Sequence, residues 1–379
     1  MRQMKKRSLK VALIFGTRPE IIKLSPLMRL FELEKTSYFM IHSGQHYSPL
    51  LDKIFFDELS LPLPKYNLSI RSKAAHRQGY HTGKMLIEIE KILLRERPTH
   101  ILVQGDTNTV LAGALISAKI STTSKISGFD FRLGHVEAGL RSYDRQMPEE
   151  INRFISDHLS DLLFSPTQNA KNILVNEGIS TEKIFVTGNT IVDAVFENLK
   201  IAKAKRRDTL TTSKEYILVT LHRQENVDYP QRLQDILNAL QDTAEVLKKD
   251  IVFPIHPRTK NNIEKFGITM PSNIRVVEPI GFLDFLKLQF DASLIMTDSG
   301  GVQEESCILQ IPCVTIRTTT ERPETVDVGA NKLAGIDKIS IVESAKKMIL
   351  VPRTWENPFG DGRASHRILD ILKNNLLVF

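Results

Sequence analysis

The sequence predicts an α/β protein built from two doubly wound, parallel-sheet units in series. Three observations lead there. Short aliphatic and β-branched runs alternate with helix-length segments from the start of the chain; one polar, basic stretch interrupts the rhythm, after which it restarts; and 379 residues exceed what a single hydrophobic core usually organises.

The runs at 11–15, 39–42, 101–104, 134–137, 162–164 and 184–187 read as buried strands, each followed by a segment long enough for a helix. One such helix, about 74–95, carries Met85, Ile87, Ile89, Ile92 and Leu93, and stops short of Pro98 because a residue before proline is pushed out of the α region. The basic stretch 202–214 is the linker. Strands at 216–220, 251–255, 274–277, 293–297 and 313–316, with helices near 231–248, 282–290 and 302–309, make the second unit. The expected division is therefore a first Rossmann-like domain at 1–200, a second at 215–362, and a helix within 363–379 that packs back on the first. Sheets of this kind bind ligands at the carboxyl ends of their strands, so a cleft between the domains is expected.

Composition narrows the function classes. With 41% hydrophobic and 25% charged residues and no low-complexity tract, disorder is excluded. Cys307 and Cys313 form neither a disulfide framework nor a CxxC pair, which fits free thiols in a reducing compartment. The basic start of the chain precedes an apolar run, 11–15, too short for a signal sequence, and no run of 18 apolar residues occurs. A cytoplasmic protein without membrane attachment is expected. The net charge of +7 comes from 51 Lys and Arg against 44 Asp and Glu. Its clusters, at the N-terminus and at 200–207, lack interleaved aromatics and read as solvated tail and linker, not as a nucleic-acid footprint.

Charged residues gather where predicted strands end. The first strand runs into Gly16-Thr17-Arg18-Pro19-Glu20, with Lys23 on the helix that follows; the glycine and two cations suit a diphosphate, although a plain strand-to-helix turn reads equally well. Asp106, in Gln104-Gly105-Asp106-Thr107, is a candidate catalytic acid or a helix N-cap. Glu137, in Gly134-His135-Val136-Glu137-Ala138-Gly139, is charged at a place where core filler would be apolar. Pro148-Glu149-Glu150 opens a helix, where acids also suit the helix dipole, and Glu149 and Arg153 share a face, as a surface pair or as a cleft wall. In the second half, His222 and His256 follow successive strands. Ser299-Gly300-Gly301 leads into a helix whose first turns carry Glu304 and Glu305, an arrangement suited to a nucleoside diphosphate, with Arg317 and Arg322 after the next strand.

Taken together and in order, FGTRPE-IIK, GQH, GDT, GHVEAGLR, PEE-INR, HR-EN, DSGG-QEE and R-TTERPE resemble the non-hydrolysing UDP-N-acetylglucosamine 2-epimerases, over nearly the whole chain. That resemblance implies a fold of the GT-B glycosyltransferase type, a homodimer, and UDP held mainly by the second domain. It places Ser299, Gly300 and Gly301 at phosphate, Glu305 at the ribose, Arg18 and Arg322 at the diphosphate charge, and Lys23, Asp106, Glu137, Glu149, Arg153 and His222 around the reacting sugar. Gln45 and His46 match a region where a second UDP-N-acetylglucosamine binds as activator. No metal and no cofactor are implied. The connection at 119–133 is longer than the family's usual one, and reads as a surface loop.

The implied reaction is reversible inversion of carbon 2 by elimination of UDP to 2-acetamidoglucal and readdition, with Asp106, Glu137 and Glu149 as candidate acid and base. The alternatives are a 2-epimerase of a modified UDP-acetamido sugar, a GT-B UDP-sugar glycosyltransferase, and a catalytically silent sugar-nucleotide sensor.

Overall fold

The computed structural model describes residues 8–44, 55–70, 78–122, 129–145, 147–204 and 215–376. It divides into two compact units, Met1–Ala194 with Phe359–Phe379, and Val195–Pro358.

In the first unit, the described strands β1 (Lys10–Phe15), β2 (Ser37–His42), β3 (Tyr66–Asn67), β4 (His100–Gln104), β5 (Arg132–Val136), β6 (Leu162–Ser165) and β7 (Ile184–Val186) form one sheet in the order β3-β2-β1-β4-β5-β6-β7. Every pairing is parallel. Parallel neighbours need crossovers, and the helices α1 (Arg18–Leu33), α2 (Gln78–Glu96), α3 (Asn108–Thr122), α4 (Pro148–Leu159) and α5 (Gln168–Asn176) lie in them, while α6 (Thr190–Ala204) follows the last strand. With helices on the faces, strand side chains are buried on both sides, which is why β1 and β4 read as continuous apolar runs. Strand order reverses between β1 and β4.

The second unit repeats the plan. Strands β8 (Tyr216–Thr220), β9 (Asp250–Pro254), β10 (Ile274–Val277), β11 (Leu294–Thr297), β12 (Cys313–Thr315) and β13 (Asn331–Leu333) run parallel in the order β10-β9-β8-β11-β12-β13, reversing between β8 and β11. Its helices are α7 (Gln224–Val227), α8 (Pro230–Leu247), α9 (Pro257–Phe266), α10 (Phe282–Asp291), α11 (Gly300–Ile308), α12 (Pro323–Asp327) and α13 (Lys338–Met348). Prolines in the first turns of α1, α4, α8, α9 and α12 occupy positions whose backbone N–H has no helical partner to lose.

The chain re-enters the first unit at Phe359. The amide of Asn189 donates to the Phe359 carbonyl (2.8 Å) and buried Asp193 accepts from the amides of Ala364 (3.2 Å) and Ser365 (2.9 Å), fixing the start of α14 (Ala364–Asn374), which packs on α1. The contact boundaries thus fall inside α6 and at 358/359, whereas sequence reading set them at 200 and 362. Two strands also lie outside the expected set, β3 and β13, both at sheet edges and two and three residues long. The connection at 119–133 is partly regular, since α3 extends to Thr122 and β5 begins at Arg132. Among the described residues, no helix is long and apolar enough to cross a membrane.

Candidate functional site

In the first unit, ionisable groups converge at the carboxyl ends of β1, β4 and β5, beside the switch in strand order, where open α/β sheets place their ligands. Lys23, one turn into α1, points its Nζ at both carboxylate oxygens of Glu137, 2.6 Å from each. Gln104, the last residue of β4, donates its amide to the same carboxylate. Glu137 follows β5 with φ +70°, a left-handed backbone that non-glycine residues rarely adopt. Such strain costs of order 1–3 kcal/mol and persists where surrounding contacts over-determine it. Here those contacts include the amides of Glu137 and Ala138, which both donate to the Phe164 carbonyl (3.1 and 3.2 Å).

Asp106 follows β4. Arg153 on α4 clamps its carboxylate with Nε (3.0 Å) and Nη2 (2.7 Å), and the same guanidinium reaches Glu150 through Nη1 (2.7 Å). Arg153 therefore pairs with Asp106 and Glu150, not with Glu149 as helix spacing alone allows. Glu150 also accepts from the Ser142 and Tyr143 amides, and, although burial works against its charge, these donors and Arg153 hold it below the usual carboxylate range. Glu149 is half-buried, with no hydrogen-bonding partner among the described residues, and Asp106 leaves 34% of its side chain exposed, so both stay within reach of a ligand.

Beneath this layer, Glu20 on α1 accepts from the Gly16 amide (2.9 Å) and the Thr17 amide and hydroxyl (both 2.7 Å) at one oxygen, and from the Thr107 hydroxyl (2.8 Å) at the other. It ties the turn after β1 to the turn after β4. Burial pushes its carboxyl up to about 7 against the opposing pull of those donors. Arg18, by contrast, is exposed and lies over the Phe55 ring, 5.8 Å from its centroid.

In the second unit the corresponding place lies at the ends of β8, β11 and β12. Asp298, fully buried, organises it: its carboxylate accepts from the amides of His222 (3.0 Å) and Arg223 (3.0 Å) and from the Asn226 side chain (3.2 Å). The His222 Nδ1 lies 3.1 Å from Asp298 Oδ1. Burial opposes its charge, yet His222 and these amides hold the Asp298 carboxyl below its ordinary value. The His222 ring meets that of His256 edge to face, centroids 5.4 Å apart.

Ser299 caps α11, and its amide donates to the Thr297 hydroxyl (2.9 Å). A Cβ built on Gly300 would come no nearer than 3.7 Å to its surroundings and one on Gly301 no nearer than 4.0 Å, so these glycines leave the helix start open. Glu305 accepts from Gln289 (2.5 Å). Arg322 lies 2.7 Å from buried Glu304, and Arg317 pairs through both terminal nitrogens with Glu321 (2.9 Å each), which holds the Glu321 carboxyl at about 2 although burial works the other way. Arg317 and Arg322 are thus already matched to carboxylates.

The structure brings Lys23 together with Glu137, Asp106 with Arg153, and His222 with Asp298. It places Ser299, Gly300, Gly301, Glu305 and Arg322 around α11. Gln45 and His46 lie outside the described residues. Sequence reading assigned no role to Glu20, Gln104, His135, Asp157, Glu150 or Asp298. Of these, Gln104 and Asp298 carried a signal, as polar residues at predicted strand ends; Asp157, inside a helix, carried none.

Two Rossmann-like units in series, each gathering charged side chains at its switch point, define an α/β enzyme of the GT-B build. A family profile for UDP-N-acetylglucosamine 2-epimerase matches residues 30–373, and the chain belongs to that family. It is 52% identical over 373 residues to the UDP-N-acetylglucosamine 2-epimerase of Methanocaldococcus jannaschii, covering 96% of this chain and 99% of the relative. A crystal structure of the UDP-GlcNAc 2-epimerase from that organism, in complex with UDP-GlcNAc and UDP, aligns with a TM-score of 0.85 at 51% identity, over 97% of this chain and 100% of that one. A further relative, 39% identical over 96% of this chain and 99% of its own length, is the UDP-2,3-diacetamido-2,3-dideoxy-D-glucuronate 2-epimerase of Pseudomonas aeruginosa.

Proposed function

We propose that this chain interconverts UDP-N-acetylglucosamine and UDP-N-acetylmannosamine by elimination and readdition. A C2 proton beside an acetamido group is too weakly acidic to be removed and returned directly. In the elimination, the C1–O bond breaks, its electron pair leaves with UDP, a base takes the C2 proton, and the C1–C2 double bond of 2-acetamidoglucal forms. In the return step the UDP oxygen adds to C1 while an acid delivers a proton to the opposite face of C2.

The observation that carries this reading is Glu137, a carboxylate on a strained backbone beside the switch point of the sheet, held by Lys23 and Gln104 next to the loop that bears Asp106. Two carboxylates on neighbouring strand ends, one clamped by a lysine and one by an arginine, suit an acid and a base acting on two faces of one carbon. Asp106, Glu137 and Glu149 are the proton-transfer candidates. Arg153 holds Asp106, and Lys23 holds Glu137 while its charge favours departure of the diphosphate. The second unit takes the UDP: the open start of α11 at Ser299, Gly300 and Gly301 receives phosphate, Glu305 the ribose, and His222 and Arg322 the diphosphate side; Arg18, on the first unit, is the further cation assigned to the diphosphate. Water must be kept from the glucal intermediate. A cytoplasmic homodimer, activated by a second UDP-N-acetylglucosamine, completes the proposal.

The test is a proton NMR time course with UDP-N-acetylglucosamine in deuterated water. The anomeric signal of UDP-N-acetylmannosamine should appear, with deuterium entering C2 of the substrate pool. Free N-acetylmannosamine and UDP would indicate hydrolysis instead. Turnover only of a diacetamido uronate would move the chain to the chemistry of its Pseudomonas relative.

A further inference from the structure

Two buried groups at the heart of the first unit play no part in the reaction described above. His135 lies on β5, two residues before Glu137, with 1% of its surface exposed; Asp157, on α4, is equally buried. The ring's Nε2 is 2.8 Å from the Gly105 carbonyl oxygen, which can only accept, so Nε2 carries a proton. Its Nδ1 is 2.7 Å from Oδ1 of Asp157, whose other oxygen already accepts from the Gly139 amide (3.2 Å) and from Arg141 Nη1 (2.7 Å). The contact from Nδ1 ends on a carboxylate oxygen, an acceptor, so the geometry asks a second N–H of the ring. The ring is an imidazolium.

The charges around it balance. Asp157 faces His135, while Arg141 is also met by Glu177 through Nε (2.8 Å) and Nη2 (2.7 Å). Burial works against the imidazolium, but the charge and hydrogen bond of Asp157, then the Gly105 carbonyl and the nearby charge of Glu137, hold it above its ordinary value.

A buried ion pair of this kind is weak evidence for stability, since apolar residues of similar volume often serve as well or better. What it does supply here is geometry. Gly105 immediately precedes Asp106, and its amide donates to the Val136 carbonyl (3.1 Å), one residue before Glu137. Gly139 follows Glu137 by two residues. Asp157 shares α4 with Arg153, which clamps Asp106. The pair therefore pins the loops after β4 and β5 to one helix from below.

We infer that His135 and Asp157 are positioning residues for the epimerisation: their imidazolium–carboxylate contact fixes the backbone at Gly105 and Gly139, and through it the placement of Asp106 and Glu137, whose proton-transfer roles proposed above this presupposes. Neither residue touches substrate.

The test compares His135→Gln, Asp157→Asn and the double variant with the parent enzyme in the deuterium NMR assay, with turnover expressed per UDP-binding site counted by calorimetry. Gln keeps a donor for only one of the two acceptors, and Asn keeps the shape of Asp without its charge. The expected result is a fall in kcat of about 10²-fold in each, as for a misplacement of about 1 Å, with UDP affinity changed less than about threefold. The double variant should fall no further than the worse single, because either change breaks the same contact. Folded single variants whose kcat per UDP-binding site stays within about threefold of the parent would overturn the inference, since a merely structural pair lowers yield and Tm but not the turnover of intact sites. If neither variant folds, the parent decides. In a pH titration with ¹⁵N-labelled histidine, one ring must keep both nitrogens protonated to a higher pH than an ordinary histidine does, and its absence refutes the pair. A parent enzyme that exchanges no deuterium refutes the underlying reading instead, and needs no variant to show it.

Discussion

Gly139, in the loop that carries Glu137, offers a quantitative check on how tightly that loop is built. Its φ is +87°, and a Cβ added there would lie 2.4 Å from the Ala170 carbonyl oxygen and 2.9 Å from its carbon, both backbone atoms that cannot swing aside. Gly139→Ala therefore combines two penalties. A left-handed alanine costs about 1–2 kcal/mol, and forcing extra atoms into a filled space costs typically about 1–3 kcal/mol. Gly178 is the internal control: its φ is +86°, but a Cβ there meets nothing within 4 Å, so Gly178→Ala carries the first penalty alone. In a domain of this size 1 kcal/mol shifts Tm by roughly 2–4 °C. Gly178→Ala should then lower the first unit's Tm by about 3–6 °C, and Gly139→Ala by about a further 4–8 °C. Differential scanning calorimetry of the three proteins reads both. Equal losses within about 2 °C would refute the reasoning, because the clash would then carry no cost.

Other substitutions separate binding, chemistry and stability. Glu137→Gln should lower kcat by roughly 10²–10⁴ while leaving UDP affinity within about threefold, measured by NMR turnover and calorimetry; unchanged turnover would remove Glu137 from proton transfer. Gly301→Ala should raise stability by about 0.5–1 kcal/mol, since the helix gains an alanine with room for its methyl, yet weaken UDP about tenfold by crowding a phosphate; undiminished affinity would place the diphosphate elsewhere. Glu20 gives a pH dependence with a definite sign. Its folded-state carboxyl lies near 7 against 4.5 as a reference, so its contribution to stability is full below about 4.5 and is lost as pH rises through about 7. Glu20→Gln has no such dependence. Its stability relative to the parent should therefore rise between pH 5 and pH 8, by up to about 3 kcal/mol, and a constant difference across that range would contradict the buried carboxyl.

Much of this architecture was legible from pattern alone, for identifiable reasons. Strands such as β1 and β4 are buried on both faces by crossover helices, so burial wrote them into the sequence as unbroken apolar runs. The edge strands β3 and β13 have one paired neighbour each and so little buried length that no run of apolar residues is demanded of them. The charged motifs were visible because a carboxylate or guanidinium at a strand end interrupts an expected apolar pattern. Partnerships were another matter. Arg153 has Glu149 and Glu150 nearby in sequence, yet Asp106, whose Oδ2 accepts from both its Nε and its Nη2, is 47 residues away and is brought close only by the packing of α4 against α3 and β5. His135 and Asp157, 22 residues apart, likewise meet only because a helix crosses beneath a strand end. Helix spacing records which residues share a face, and it holds no information on what that face will meet.

The return of the chain to its first unit also governs the order in which this protein is made. The buried face of α14, with Ile368, Leu369 and Leu372, and the amides that satisfy Asp193, are delivered only after residues 195–358 have been synthesised. At about 5–20 residues per second that is a wait on the order of ten to thirty seconds. Throughout it the nascent first unit has the strands described above but shows bare apolar surface on α1 and leaves Asp193 without the amides of Ala364 and Ser365. The second unit, contiguous in the chain, has all its parts as soon as it clears the ribosome. On the ribosome, the unit begun first is the one completed last, and chaperones that bind exposed apolar surface would meet the face that α14 has yet to cover.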